Sequence, residues 1–391
     1  MSSATRKALV LSGGGAYGAF AVGVMKALSA GRSPSTDYQL LKADIFTGTS
    51  VGAFNAALMV SGWEQDCLKS ALRLEDIWLN RIAERPGGSE NGIFRLKGNP
   101  VEYLDVSHLR SPVRVAAHLV RDALVAGGYA LDRTANFLAS SQPLINRAIQ
   151  LVNVASFIDT EPYQDLLRNV IDEEKILHSP MSFRAIATDW ITGRAVPFGN
   201  EDFKGECGIK AIMASSALPG IFPPVVMGAD VLVDGGVVDN TPLKTAIDLG
   251  ATELHVVYLD PQPKFIPVKG EPSTIDTLIR VYTLMLAANV QQDFETARRI
   301  NAGIRALPHY AQTGQSSLGE ARNFLGVASR PLNSSGASYK TLIVHRYFPT
   351  SVLGGDTGML DFGLDRIARI IEEGERVALV HDCIENRCIL N

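Results

Sequence analysis

The chain is short of several things, and each shortage excludes a class of protein. Only four cysteines occur in 391 residues: Cys67, Cys207, Cys383 and Cys388. None falls in a C-x-x-C pair, and no histidine stands at zinc-finger spacing. The four therefore read as free thiols of a reducing compartment, not as a disulfide frame or a metal knuckle. Neither sign of charge is in excess: 37 basic residues face 41 acidic ones, for a net charge of −4. That balance leaves no electrostatic footprint for nucleic acid. No stretch reaches the ~18 uncharged apolar residues that a spanning helix needs. Arg6 and Lys7 precede only the short apolar run 8–11, too little for a secretory leader. No D-x-D-x-D-G calcium loop is present. The expectation is a cytoplasmic protein, able to touch a membrane from its surface, with no metal and no cofactor. Nothing in the sequence sets its oligomeric state.

What is present is a globular composition, 46% hydrophobic and 20% charged. Residues 8–11 read as a buried strand, and Gly18 to Leu28 as a helix. Residues 43–47, "ADIFT", read as a second strand, and Ala53 to Val60 as a second helix. Strand, glycine turn and helix, repeated, make the pattern of a parallel α/β sheet. Residues 80–155 break it. "ERPGGSENGIF" is a loop by composition, and 113–127 and 144–152 are amphipathic at helical spacing. This region reads as a helical insertion. With Arg110, Arg114, Arg121, Arg133 and Arg147, it suits a lid or a surface for an anionic interface.

The α/β pattern then returns. Thr160 before Pro162 starts a helix. "FRAIATD" and "RAVPFG" form a hairpin around Ile191-Thr192-Gly193, and "PPVVMGADVLVDGG" a second one turning near Gly228. "ELHVVYLD" and "KTLIVHRY" are strands. Ser273 to Ile300 is a long helix with Ser273 and Asp276 as a capping box, and "DFGLDRIARIIEEGERVAL" is a late helix. One domain over 6–391 is expected.

Two glycine motifs carry the chemistry. Gly13, Gly15 and Gly18 fit G-x-G-x-x-G, the spacing of a dinucleotide turn. That turn wants an acidic residue at the end of the next strand. Asp37 lies near the right distance but before the strand, which ends instead in "GTSVG", residues 48–52. There Gly48, Ser50 and Gly52 make G-x-S-x-G at a strand-to-helix join, a turn that holds a serine out from the sheet. Beside it, Gly13, Gly14 and Gly15 suit an oxyanion loop, since acyl transfer needs fixed N–H donors. A serine also needs a base. Of seven histidines, His255 lies in an apolar strand as a core residue. His118, His178, His309, His345 and His381 carry no partner motif. Asp234, at the end of an apolar strand and followed by Gly235 and Gly236, is the better candidate.

"GGGAYG", "GTSVGA", "ASSALPGIFPPV" and "DGGVVDN" stand in the order and spacing of the patatin-like phospholipase family, over a motif core of about 8–245. The late helix also resembles that family's closing helix. The resemblance implies a three-layer α/β fold with a mostly parallel central sheet. It implies a Ser50–Asp234 dyad, an oxyanion hole at Gly13 to Gly15, and metal-free hydrolysis of lipid esters. Leu218, Ile221 and Phe222, in the apolar third block, are expected to line the acyl pocket. Tyr17 stands where the family usually has Arg or Lys. Two rivals stay open: an acyltransferase using the same dyad, and a non-hydrolytic nucleotide-binding protein using Gly13 to Gly18. A third reading is a catalytically silent lipid-binding scaffold.

Overall fold

The computed structural model describes residues 5–62, 66–84, 91–96, 158–259, 280–286, 297–302, 340–351, 353–354 and 358–390, with positions 277, 295, 304 and 305. Most of the expected insertion 80–155 lies outside these residues. So do the capping box at Ser273 and Asp276, His118 and His309.

Ten strands are described: β1 (Lys7–Leu11), β2 (Ile45–Thr49), β3 (Arg95–Leu96), β4 (Ile158–Asp159), β5 (Ser182–Asp189), β6 (Arg194–Gly199), β7 (Val225–Met227), β8 (Asp230–Asp234), β9 (Glu253–Val257) and β10 (Ile343–Tyr347). Eight form one sheet in the order β10-β9-β1-β2-β5-β8-β7, with β6 also paired to β5. From β10 to β5 every pairing is parallel. β6, β7 and β8 extend the sheet antiparallel. β1 and β2 are almost wholly buried, as expected of parallel strands covered on both faces.

Those two faces carry separate cores. Leu9, Leu11, Phe46, Val257 and Tyr347 face helices α1 (Gly18–Ser29), α2 (Val51–Ser61) and α3 (Cys67–Ile77), together with the closing helix Leu364–Leu379. Ala8, Val10, Ile45, Leu254, Val256 and Val344 face the other way, against the short helix Leu243–Asp248 and against Ala297 and Ile300. The result is three layers. α1 is apolar around nearly its whole circumference because it lies inside this stack. Its one cation, Lys26, is paired at 2.7 Å with both Glu75 of α3 and Glu375 of the closing helix.

Both hairpins form where the sequence placed them, with Gly193 and Gly228 at positive φ in the turns. Two local readings are corrected. β2 runs from Ile45 to Thr49, not 43–47, because pairing with β5 continues through Thr49↔Ile186. Thr160 does precede a helix, Glu161–Val170, but its side chain makes no cap. Asp159 accepts the Glu161 N–H instead, at 3.0 Å. At the start of the expected insertion, Ile82 is fully buried in the main core.

Candidate active site

β2 ends where α2 begins, and Ser50 is the single residue between them. Its backbone sits at φ 55, ψ −125, a region that costs a residue with a side chain of order 1–3 kcal/mol. The turn is so tight that a Cβ on Gly48 would collide with the backbone of Gly52. Only glycine at 48 permits that approach. The strain is carried by a neighbour the sequence reading did not single out. Ser215, fully buried, accepts the Ser50 N–H at 2.8 Å and donates its hydroxyl to the Ile186 carbonyl. Its signal was the paired serine in "ASSALPG". Ser215→Ala is expected to destabilise the protein by about 1–3 kcal/mol, the cost of leaving buried polar groups unpartnered. Urea denaturation measures it.

Sheet register brings the aspartate to the serine. Thr49 pairs with Ile186 across β2 and β5, and Ala187 pairs with Asp234 across β5 and β8. The residue after Thr49 and the last residue of β8 therefore meet over β5. The Ser50 side chain acts on the Asp234 carboxylate to lower its pKa, and both residues line one cavity. Gly236 N–H donates to the same carboxylate at 2.7 Å. Asp234 is 4% exposed, and desolvation pushes its carboxyl up to about 7 although Ser50 and the Gly236 N–H act to lower it.

The glycine loop divides between two tasks. Gly13 N–H donates to the main-chain and side-chain oxygens of Asn240, both at 3.2 Å, and Asn240 returns its amide to the Gly13 carbonyl. Gly13 thus ties the loop to the "DGGVVDN" block and, contrary to expectation, does not present its amide to the site. Ser12 reinforces that tie through Thr241, at 2.7 Å. Gly14 and Gly15 do line the cavity beside Ser50 and Asp234. Among the described residues, neither amide is taken by a protein acceptor. Gly15 sits at φ 55 with the Met359 carbonyl where its Cβ would be. Gly18 packs under Val51 and Trp78, at the start of α1.

The cavity has a volume of about 290 Å³ and is mostly apolar. Leu218 and Phe222 line it, with Phe54, Tyr163, Met359 and Phe362. Ile221 is corrected: it is buried in the core and is not part of the cavity wall. Tyr17 is likewise buried, packed beside Gly354. Lys210 contributes the cation of the lining, at an exposed position. Among the described residues, no histidine lines the cavity. His178 is exposed and paired with Glu174 at 3.4 Å. His255 is fully buried, held by Tyr347 and Glu253, and burial lowers its pKa.

A mostly parallel sheet that presents a serine on a strained turn, with a buried aspartate and a glycine loop lining the same cavity, defines an α/β protein. The family model for patatin-like phospholipases matches residues 9–247, and the chain belongs to that family. Among curated relatives, an uncharacterized NTE family protein of Mycobacterium tuberculosis is 29% identical over 143 residues, covering 37% of this chain and 23% of its own length. A second such protein from the same organism is 29% identical over 143 residues, covering 35% of this chain and 38% of its own. The match thus spans well under half of either relative. Among solved structures, VipD from Legionella pneumophila aligns with a TM-score of 0.33 and 15% identity, over 98% of this chain and 71% of its own. Among the described residues, no helix is long and apolar enough to cross a membrane.

Proposed function

We propose that this chain is a serine-dependent acyl hydrolase of lipid carboxylic esters. Ser50 is the nucleophile and Asp234 its base. The hydroxyl proton moves to the Asp234 carboxylate as Ser50 Oγ bonds to the ester carbonyl carbon. The alcohol leaves with that proton. Water then attacks the acyl-enzyme, losing its proton to Asp234, the bond from Ser50 Oγ to the acyl carbon breaks, Asp234 returns the proton to Ser50 Oγ, and the fatty acid departs. The amides of Gly14 and Gly15 hold the oxyanion, and the N-terminus of α2 favours negative charge at Ser50. An acyl chain fits the apolar cavity, and Lys210 at an exposed edge meets a polar or anionic head group. A mostly apolar wall around Ser50 and Asp234 supports this substrate class.

The observation that carries this reading is Ser50 on its strained turn and the buried carboxyl of Asp234 lining one mostly apolar cavity. Its central test is fluorophosphonate labelling of Ser50 together with hydrolysis of a short-chain ester. Absence of both sinks the proposal. Nucleotide binding by the glycine loop with no ester turnover would replace it. Transfer of the acyl group to an added lipid alcohol, in preference to water, would make the chain an acyltransferase with the same dyad.

Gly15→Val is expected to lower kcat by about 10²–10³, the usual cost of one oxyanion donor, and to change KM far less. A side chain at φ 55 also displaces the loop from Met359. Steady-state kinetics with a soluble ester separates the two parameters.

A further inference from the structure

Away from the Ser50 cavity, the segment after the closing helix folds back on the edge strand β10. Val344 and Ile389 exchange backbone hydrogen bonds at 2.8 and 3.0 Å. Cys388 N–H reaches the Cys383 carbonyl at 2.9 Å, closing the loop between the two cysteines. This loop brings His381, Cys383 and Cys388 against His345 of β10. One donor atom from each of the four lies within 4.8 Å of the other three. Cys383 Sγ stands 3.5 Å from His345 Nδ1 and 3.5 Å from His381 Nε2, and Cys388 Sγ stands 3.4 Å from His381 Nε2. Both imidazoles are buried, and all four cysteines of the chain are unpaired thiols.

We propose that His345, His381, Cys383 and Cys388 form a tetrahedral structural zinc site that fastens the C-terminal segment to the sheet edge. The spacing supports this. Zinc bonds of about 2.3 Å to sulfur and about 2.0 Å to nitrogen, at tetrahedral angles, hold S and N roughly 3.5 Å apart. The three S–N separations already have that length. Two thiolates and two imidazoles are a donor set that selects zinc over hard cations, and four protein ligands leave no open position for catalysis. Binding forms two Zn–S and two Zn–N bonds and releases two thiol protons to solvent. The Zn²⁺ charge is cancelled by the two thiolates, so the buried centre is neutral.

The surroundings hold the ligands in place. Asn386 stands with its amide nitrogen Nδ2 3.3 Å from His381 Nδ1, and metal binding calls for that amide to be flipped. With its amide oxygen turned to the ring, Nδ1–H donates and Nε2 keeps its lone pair for the metal. His345 stacks on His255 at 4.8 Å between ring centroids. His255 itself is engaged by Tyr347 at 2.9 Å and Glu253 at 3.2 Å, so it acts as a support and not a ligand. Glu253, Lys7, Asp382, Asp37 and Arg346 are among the charged neighbours.

The test uses the full chain, purified under reducing conditions, given zinc and then desalted. Metal analysis is expected to find one zinc per chain. Replacement by cobalt should give the intense visible bands of a tetrahedral site together with thiolate-to-metal charge transfer. Cys383→Ser/Cys388→Ser should reduce bound zinc to background and abolish the charge-transfer band, with Ser50 probe labelling as the check of folding. Cys67→Ser/Cys207→Ser should bind zinc as the wild type does. A chelator should lower the wild-type melting temperature and leave that of the Cys383/Cys388 double variant unmoved. Wild-type protein that retains no stoichiometric zinc overturns the proposal. So does cobalt without thiolate charge transfer, or mass spectrometry showing a Cys383–Cys388 disulfide in the reduced preparation. The cobalt spectrum of the wild type decides even if the double variant fails to fold.

Discussion

Ser50→Ala protein is expected to keep its fold and lose ester hydrolysis by a factor on the order of 10⁶, the scale of removing a nucleophile from a preorganised hydrolase site. Probe labelling should vanish with it. The backbone supports for the turn do not depend on the hydroxyl: the Ser50 N–H still reaches Ser215, and Gly48 and Gly52 still allow the close approach. What the hydroxyl does is act on the Asp234 carboxylate, lowering its pKa. Without it the carboxyl should titrate higher still, which carboxyl-stretch infrared spectra of the variant can follow. Ser50→Gly gives a second, independent reading. It is equally inactive in expectation, but glycine removes the cost of a side chain at φ 55. Ser50→Gly should therefore be no less stable than Ser50→Ala, despite the ~0.5–1 kcal/mol that glycine's freedom normally costs. Residual turnover by clean Ser50→Ala protein would move the nucleophile elsewhere.

Asp234→Asn is expected to lower kcat by about 10²–10⁴, the range for a general base. Its pH dependence is the sharper part. Desolvation raises the Asp234 carboxyl to about 7, and the base works only when ionised. In wild-type protein kcat/KM should therefore rise through about pH 7 and not through the ordinary carboxylate range. The variant's residual activity should lack that limb.

Stability should move the opposite way. The carboxyl titrates from its ordinary value of 3.8 in the unfolded chain and about 7 in the folded one. Between those values the folded state holds a proton that the unfolded state has lost. Rising pH through that window therefore penalises the folded state. Asn has no proton to lose. Asp234→Asn should melt higher than wild type at pH 8, and the gap should shrink as pH falls toward 4. A histidine whose replacement by Gln silences the enzyme as fully as Ser50→Ala would replace the dyad with a triad.

Much of the site was legible because it depends on neighbours in the chain. Glycines on both sides of Ser50 and a strand that runs directly into a helix are short-range signals, and the turn they describe is present with Ser50 at positive φ. Gly193 and Gly228 marked the two hairpins for the same reason. Asp234 stood out as a carboxylate at the end of an apolar strand before two glycines. Its contact with Ser50 was available only through the resemblance to a known family.

Other features depended on which strands became neighbours. Gly13, Gly14 and Gly15 look alike in sequence, yet Asn240, packed from the far side of the chain, takes the amide of Gly13 and leaves the other two facing the cavity. Ile221 shares its apolar character with Leu218 and Phe222, but the turn after Leu218 points it into the core. The cysteines were set aside because no C-x-x-C or finger spacing occurs. His345 and Cys388 meet only because the closing helix returns the chain to β10, and no spacing rule records that return. From sequence alone came the alternating α/β class, the serine turn and the apolar strand ending in aspartate, since each is set by backbone propensity and side-chain pattern within a few residues. Tertiary structure alone decided that Asp234 is buried beside Ser50, that burial raises its pKa, and that Cys383 and Cys388 lie against His345 and His381. Those are properties of distance and solvent exclusion, and they exist only once β2, β5 and β8 lie side by side and the tail has closed on the sheet edge.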